Sequence, residues 1–524
     1  MRGLIIVMCL NKELLINDEL FSEKNRLRLC VLATFFFGLI GHAYRFFSGS
    51  YSHDSLDSIY ADSSEFFWKI SLGRFFAPVV MKLRGNIALP WLIGFVSILF
   101  IAFSVWFVVR TLDIESKILI CLLSGIMVTN ITVTATVATY LHDLDIDMLA
   151  LLLSTLAAFL IMKKDKIGWY ALSAVMIMVS LGLYQSYIEV ALIIVIIAFL
   201  KRLLDGVNAK NVILHGLKAI TTFISGGIAY FVLYKIVCNT FGIVAQERTN
   251  IHTTQDFSII ISIKTMIYKI VETFINPVSF FSSKLMGWVN LILIVSSVVL
   301  CMILIFRIGK KKTAEKVVAI LLLSSFPIAV NAISIAVNGE LHELMIYSFW
   351  FIYIFSLLII DITYQNNKDS IFFECIKGIS LVLASIVLLN NIVISNTAYL
   401  KKDLESIATV STLTRVVEDL ENRNDYKVGE TEISFVGVAS TINTMPGFEF
   451  LTSITGLRGS GSISQSGISD HYNLYKAFFN YYLNYPINYS KKDYSKDVRV
   501  LNMPSYPENG YIKNIDGIIV VKMG

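Results

Sequence analysis

The sequence predicts a mainly α-helical membrane protein with many spans and a small α/β domain at its C-terminal end. Hydrophobic residues make up 55% of the 524 residues, and charged residues only 16%, whereas a typical soluble domain has about 25% charged residues. Apolar runs of roughly 20 residues, long enough to cross a bilayer core of about 30 Å, recur along most of the chain. The segment 396–524 has instead the composition of a soluble domain.

Apolar runs predict about eleven membrane spans. They lie at 29–47, 88–110, 117–138, 146–162, 168–184, 187–200, 219–238, 286–306, 317–337, 345–361 and 371–394. The first ten residues are apolar but too short to span, and no small-residue cleavage site follows them. We therefore expect no removable signal peptide.

The distribution of Lys and Arg in the short loops predicts the orientation of the chain. One set of alternate loops is rich in basic residues, whereas loops 139–145, 184–187 and 338–344 contain none. The N-terminal segment 1–28 is therefore expected in the cytoplasm, and the bundle occupies 29–395. An odd number of spans places the domain 396–524 outside, which is the periplasm if the membrane is a Gram-negative inner membrane. Two large loops, 48–87 and 239–285, face the same side.

Composition and loop lengths exclude several functional classes. The inner loops are too short to fold a nucleotide-binding domain, and the chain has neither a Walker A pattern nor a dinucleotide fingerprint in its strand–helix context. The formal charge of +5 is spread over loops, so it does not indicate nucleic-acid binding. The six cysteines form no CxxC pair and are expected to be buried thiols.

The outer C-terminal domain is expected to be a small α/β unit. An amphipathic helix is predicted over Leu404–Leu420, where apolar residues recur every three or four positions. Strands are predicted at Ile433–Val438, Val498–Leu501 and Ile518–Val521. A helical stretch is predicted at His471–Tyr485, and its tyrosines and asparagines could either bind sugar or pack a small core.

The first outer loop contains the leading catalytic candidates. Asp54 and Asp57 are three residues apart, so they would share a face of a helix, and His53 beside them is a candidate substrate contact. The aromatic, amphipathic segment Glu65–Phe76 resembles a helix in the headgroup plane, where Arg74 could bind a phosphate. The alternative is that the acids are solvated loop charges and the aromatics an interface belt.

The second outer loop brings His142, Asp143, Asp145 and Asp147 to the start of a span with no basic neighbour. Carboxylates at this depth need a cavity or a partner, and Asp147 is the one expected to enter the bundle. His142, Asp143 and Asp145 are candidate substrate contacts. Asp143 and Asp145 could also hold a divalent cation such as Mg²⁺ or Mn²⁺, or the loop could be a solvated turn that caps the next helix.

Further polar residues are predicted at the same membrane face. Tyr184 and Gln185 lie at the outer end of one hairpin and Glu340 at the outer end of another, and all three are candidate substrate contacts. Arg248, in the loop 239–285, could bind a lipid phosphate or be a solvated charge. Together these residues predict a polar site at the outer face.

Four segments also match a family pattern. They are Leu72-Gly73-Arg74, the Thr-Tyr-Leu-His-Asp run at 139–143, Ser180–Tyr187 and the start of the tail at Ser395–Tyr399. In these segments and in its layout, the chain resembles the serotype-converting O-antigen glucosyltransferases encoded by temperate bacteriophages and prophages. The resemblance extends from about residue 30 to the tail.

This resemblance implies a glycosyltransferase of the C-type (GT-C) architecture. Such enzymes transfer glucose from undecaprenyl phosphate glucose to a sugar of the lipid-linked O-antigen repeat in the periplasm. They work beside a small flippase and a polyprenyl-phosphate glucosyltransferase that makes the donor. The essential first-loop carboxylate of these enzymes maps onto Asp54 or Asp57, and the choice between them stays open.

Residues and resemblance together give a mechanistic hypothesis. Asp54 would remove the proton from the acceptor hydroxyl, and Arg74, or a metal held by Asp143 and Asp145, would stabilise the leaving phosphate. A single displacement would invert the anomeric configuration. An O-antigen polymerase and a flippase for lipid-linked oligosaccharides are the alternatives, although the chain shows no clear internal repeat of the kind found in transporters. The acceptor sugar and the linkage are not predicted.

Overall fold

A computed structural model describes most of the chain. The described residues are 23–49, 55–56, 58–163, 166–245, 259–276, 283–309, 312–336, 341, 343–437, 475–476 and 478–523.

The protein is built mainly from helices, as expected. In chain order they are α1 (Glu23–Phe47), α2 (Ser63–Ser71), α3 (Ala77–Leu83), α4 (Pro90–Leu112), α5 (Lys117–Thr129), α6 (Ile131–Thr139), α7 (Leu144–Lys163), α8 (Ile167–Leu183), α9 (Ile188–Leu204), α10 (Ala209–Phe241), α11 (Ile259–Phe274), α12 (Ser283–Arg307), α13 (Thr313–Ala329), α14 (Ala332–Ala336), α15 (Phe351–Gln365) and α16 (Ile371–Glu421). Short 3₁₀ turns at Leu141–Asp143, Gln185–Tyr187, Glu343–Met345 and Tyr347–Trp350 precede or follow some of them.

The described residues of each predicted span are mainly helical, although the span 317–337 is interrupted between Ala329 and Ala332 and the span 345–361 begins in 3₁₀ turns. Among the described residues, eight helical segments are long and apolar enough to cross a membrane. The helix Ile167–Leu183 is apolar but shorter. The membrane character is therefore supported, whereas the count of eleven spans stays a prediction.

One predicted span is broken in its middle by Asn130, which separates α5 from α6. The Asn130 side chain accepts a hydrogen bond from the Val133 backbone N–H at 3.1 Å and so caps α6. Its amide also donates to the carbonyl oxygens of Ile126 and Met127, at 3.2 and 2.9 Å, at the end of α5. One fully buried side chain thus satisfies backbone groups of both helices, which lets the chain bend inside the bundle.

The first outer loop folds back on itself before α4 begins. At its base, the backbone N–H of Ala61 donates to Asn86 O and that of Ala88 to Ile59 O, both at 2.8 Å. Asp62 caps α2, and hydrogen bonds, first from the Ser64 hydroxyl, hold the pKa of Asp62 below its usual range. The predicted helix in this loop is confirmed over α2, while its position in the headgroup plane is not tested.

The C-terminal unit is a four-stranded mixed sheet in the described residues, packed on the C-terminal part of α16. Its strands are β1 (Glu432–Val436), β2 (Asn488–Tyr489), β3 (Ile512–Ile515) and β4 (Ile518–Lys522), in the order β2-β1-β4-β3. β1 is parallel to both β2 and β4, and β3 is antiparallel to β4. The predicted amphipathic helix is confirmed as the end of α16, whose Leu413, Val416 and Leu420 are fully buried against this unit.

The prediction of a strand at Val498–Leu501 is wrong. This segment is a short helix, α17, because the Asp497 side chain accepts from the Arg499 backbone N–H and caps it. Within the predicted helical stretch His471–Tyr485, the described part contains one turn of π-helix at Phe479–Leu483. Tyr475 and Phe479 are fully buried there, so they pack the core of the domain. Residues 471–474 lie outside the described part of the chain.

The five described cysteines are unpaired. Cys30, Cys238 and Cys301 are buried as predicted, whereas Cys121 and Cys375 are half-buried, and Cys9 lies outside the described residues.

The double role of Asn130 gives a stability prediction. We expect Asn130→Ala to lower the free energy of unfolding by about 2–3 kcal/mol, because it removes a helix cap and the side-chain donor to the buried Ile126 carbonyl. The matched control is Asn208→Ala, which removes an exposed cap at the start of α10 and should cost about 1 kcal/mol or less. Unfolding in mixed detergent micelles would measure both. Equal losses would contradict the double role.

Candidate functional site

Buried charged residues meet where the first outer loop packs on the start of α7. The loop contributes Lys69, Arg74 and Arg84, and the chain around the start of α7 contributes Asp143 and Asp145. The opposite end of α7 carries a different set of charges, since Lys163 pairs there with Asp113 and α4 ends nearby. The cluster therefore lies at the end of the bundle that the loop charges predict to be outer.

Lys69 and Asp143 form a buried ion pair. The Lys69 ammonium donates a hydrogen bond to Asp143 Oδ2, and the side chains are only 5% and 6% exposed. Glu65, one turn earlier in α2, lies 3.1 Å from the same ammonium. Each buried charge would be costly alone, so the pair fixes α2 against the turn that precedes α7.

A second pair ties the end of α3 to the same turn. Arg84 donates to Asp145 Oδ1 at 2.6 Å, and its other terminal nitrogen donates to the His142 carbonyl oxygen. The Asp145 carboxylate also accepts from the Ile146 backbone N–H at 3.1 Å. Arg84 was not predicted as a site residue, because its partner Asp145 is 61 positions away and no local sequence pattern connects the two.

The contacts that hold Arg74 differ from those of the other two cationic residues, Lys69 and Arg84. Its guanidinium lies over the Tyr184 ring, 4.1 Å from the ring centroid, and 3.8 Å from Asp143 Oδ2. Because Asp143 is already bonded to Lys69, Arg74 keeps an Nε–H with no hydrogen-bond partner among the described residues. The ring fixes the guanidinium while leaving donor capacity for an anion.

The backbone conformation and close surroundings of Gly73 explain why glycine precedes Arg74 in the Leu-Gly-Arg motif. Its φ of +81° is a conformation that glycine adopts without strain. A methyl group there would lie 2.3 Å from the Tyr230 hydroxyl and 2.7 Å from Gln185 Nε2. The Gln185 amide donates to Leu72 O at 2.9 Å and to the Tyr230 hydroxyl at 3.1 Å. The structure thus gives Gln185 a role in positioning the turn that carries Arg74.

His142 connects the site to the part of the first loop that contains the predicted base. The Ser55 hydroxyl donates to Thr139 O at 2.8 Å and lies 3.3 Å from His142 Nδ1. His142 Nε2 lies 3.8 Å from Asp143 Oδ2. Ser55 directly follows Asp54 in the chain.

Of the predicted site residues, the structure brings together Arg74, His142, Asp143, Asp145 and Tyr184, with Gln185 behind them. Five others lie outside the described residues. They are His53, Asp54, Asp57, Arg248 and Glu340.

The acids do not form a metal centre in the part of the chain that the structure describes. No group of three or more His, Cys, Asp or Glu residues there could hold a metal ion. Asp143 is occupied by Lys69 and Asp145 by Arg84, so a cation at these carboxylates would face two fixed positive charges. The arrangement does not fit a metal bound by Asp143 and Asp145.

Two side chains in the interior of this cluster have polar atoms without partners among the described residues. Asp147, one turn into α7, is 3% exposed, and its Oδ1 accepts no hydrogen bond. Tyr187 is fully buried, and its hydroxyl has no hydrogen-bond partner. Asp147 was predicted to enter the bundle, whereas Tyr187 and Lys69 were not predicted as site residues, although the segments Ser180–Tyr187 and Glu65–Phe76 contain them.

The buried pair gives a second stability prediction. We expect Lys69→Met to lower the free energy of unfolding by about 3–5 kcal/mol, because the Asp143 carboxylate then lacks its nearest positive charge. The double variant with Asp143→Leu should lose less than the sum of the single losses. As a control, Lys427→Met breaks the exposed pair with Glu430 and should cost under about 1 kcal/mol. Additive losses at Lys69 and Asp143 would show that the two charges do not depend on each other.

Crowding at Gly73 gives a third prediction. We expect Gly73→Ala to lower the free energy of unfolding by about 3 kcal/mol, because the new methyl group strains the backbone and overlaps the Tyr230 hydroxyl. Gly206→Ala is the matched control, because Gly206 has a φ of +90° but open space around it, and it should cost only about 1–2 kcal/mol. Adding Tyr230→Phe should restore part of the free energy of unfolding that Gly73→Ala removes. No recovery would mean that the overlap is not the cause.

Comparison with known proteins identifies the family. No curated protein and no solved structure matches the chain. The family model described as Glucosyl transferase GtrII matches residues 43–360, which is more than half of the chain and includes every residue of the charged cluster. The chain therefore belongs to the GtrII glucosyl transferase family.

Proposed function

We propose that this protein transfers glucose from undecaprenyl phosphate glucose to a sugar of the lipid-linked O-antigen repeat at the outer face of the bacterial inner membrane. Family membership supports a glucosyltransferase, and the eight apolar helices support a membrane protein. Donor, acceptor, orientation and the periplasmic position of the C-terminal domain belong to the proposal. So do the partners, a small flippase and a polyprenyl-phosphate glucosyltransferase.

The single observation that carries the donor assignment is the state of Arg74. A lipid phosphate sugar brings one negative charge to the edge of the bilayer, and its leaving phosphate gains charge as the glycosidic bond breaks. Arg74 is preorganised over Tyr184, and its Nε–H has no partner among the described residues. A fixed cation of this kind stabilises charge that develops in the transition state, at little cost in reorganisation.

The same geometry favours arginine over a metal for this task. Lys69 and Arg84 neutralise Asp143 and Asp145, so these acids act as supports for the basic residues rather than as metal ligands. A chelator titration of the purified protein measures whether the reaction depends on a metal. We expect transfer to persist in excess chelator.

The acceptor hydroxyl needs a general base, for which we propose Asp54 or Asp57. The contact of Ser55 with His142 supports this, because it joins the neighbouring residue of Asp54 to the cluster. General-base assistance contributes about 10²–10⁴ in rate. Attack opposite the phosphate in a single step would invert the anomeric centre.

Repeat-unit mass measures this function directly. The chain would be expressed in a strain with a defined O-antigen and the lipid-linked glucose donor, and the released repeat units would be weighed by mass spectrometry. We expect one added hexose per repeat with the native chain. We expect Arg74→Ala to lower the rate about 10²–10³-fold, as does loss of an oxyanion-stabilising donor.

The matched control is Arg307→Ala, which removes an exposed arginine near the inner end that bonds only Asn367 among the described residues. It should leave transfer unchanged. An unchanged repeat mass with altered chain length would favour an O-antigen polymerase instead. No change in either would favour a transporter.

A further inference from the structure

We propose that Asp147, Tyr187, Arg74 and Asp143 line a subsite for the neutral hexose of the donor. This inference rests on the proposed function and deepens it, because it separates recognition of the sugar from recognition of the phosphate. Four polar atoms carry it: Asp147 Oδ1, the Tyr187 hydroxyl, Arg74 Nε and Asp143 Oδ1. Each is inaccessible and has no hydrogen-bond partner among the described residues.

These atoms belong to one neighbourhood. Arg74 lies 3.8 Å from Asp143 and over the Tyr184 ring, whose centroid is 5.7 Å from that of Tyr187. Asp147 interacts electrostatically with Arg74 and Asp143, and Tyr187 with Asp147 and Arg74. Four of the buried polar atoms that lack a partner among the described residues therefore lie in one neighbourhood.

Unmet buried polar atoms are costly, each by about 1–3 kcal/mol, so a concentration of them indicates a missing ligand or the water that stands in for it. A purely structural role would favour phenylalanine over tyrosine at position 187, where the ring is fully buried between other aromatic rings. The retained hydroxyl instead provides a donor and an acceptor to whatever occupies the site.

The hydrogen-bond donors and acceptors that line the subsite indicate which class of ligand it binds. The Asp143 carboxylate, ion-paired with Lys69, accepts hydrogen bonds, the Arg74 Nε can only donate, and the Tyr187 hydroxyl can do both. The Asp147 carboxyl accepts when it is ionised and can also donate when it is protonated. A polyol satisfies this mixture, because each sugar hydroxyl both donates and accepts. A phosphate diester offers no donor to the Asp143 carboxylate and would be repelled by its charge.

Tyr184, Tyr187 and Tyr347 give the subsite an aromatic wall. The ring centroids of Tyr187 and Tyr347 are 5.5 Å apart, and the Tyr347 hydroxyl is already bonded to the Met127 carbonyl oxygen at 2.6 Å. Tyr347 is thus fixed as support, whereas the Tyr187 hydroxyl remains available to the sugar. Arg74 lies at the boundary, so it can bond both the phosphate and the nearest sugar oxygen.

Binding of two matched probes tests the subsite. The full-length protein in nanodiscs would be titrated with a short-chain prenyl phosphate glucose and with a prenyl methyl phosphate, which has the same charge but no sugar. We expect Asp147→Asn and Tyr187→Phe each to weaken binding of the glucose probe about tenfold and of the methyl probe less than twofold. Arg74→Ala should weaken both.

The control is Tyr353→Phe, which removes a buried hydroxyl bonded to Asn290 in the bundle core and should not alter the ratio of the two affinities. If Asp147→Asn and Tyr187→Phe weaken both probes equally, or neither, the sugar subsite is wrong while the donor assignment stands. If the unaltered protein binds neither probe, the proposed function itself fails.

Deoxyglucose probes would then name the hydroxyl that each residue binds. Where a side chain binds a particular hydroxyl, removing either that hydroxyl or that side chain should lower the affinity about tenfold. Removing both should lower the affinity no more than removing either one. Additive losses for every deoxy position would overturn direct contact between these side chains and the sugar.

Discussion

The buried ion pair between Lys69 and Asp143 is the interaction on which the arrangement of the site depends. It joins α2 to the turn before α7, two segments that are 74 residues apart in the chain. Because Lys69 forms the closer bond to Asp143, Arg74 lies 3.8 Å from that carboxylate, rests on the Tyr184 ring and keeps an Nε–H without a partner among the described residues. Without Lys69, Arg74 would be the nearest cation to Asp143.

Because of this pair, some charged residues hold the site together and others remain available to bind a substrate. Lys69 and Arg84 hold the acids at the start of α7, and Gly73 with Gln185 fixes the turn that presents Arg74. Arg74, Asp147 and Tyr187 each keep a polar atom without a partner among the described residues, and these are the groups proposed to bind the substrate. In the proposed function Arg74 meets the phosphate, and in the further inference Asp147 and Tyr187 meet the sugar, with Arg74 at the boundary between the two halves of the donor.

Much of the bundle could be predicted from the sequence, because apolar runs of span length leave a chain little choice but helix. The strand predicted at Val498–Leu501 failed because a single Asp cap outweighed its β-branched residues. Of the site, the acids at 143, 145 and 147 and Arg74 could be found as ionisable residues near a membrane face. Their partners could not, because ion pairs such as Arg84 with Asp145 join residues 61 positions apart and leave no local pattern.

In the proposed function the donor binds at this charged cluster, with its phosphate at Arg74 and its sugar at Asp147 and Tyr187. A cryo-electron microscopy structure of the protein in a lipid nanodisc with a non-hydrolysable prenyl phosphate glucose analogue tests it most directly. We predict density for the phosphate within hydrogen-bonding distance of the Arg74 guanidinium, and a hexose ring between Asp147 and Tyr187. Donor density elsewhere in the bundle, with the Arg74 cluster unchanged and occupied by water alone, would contradict it.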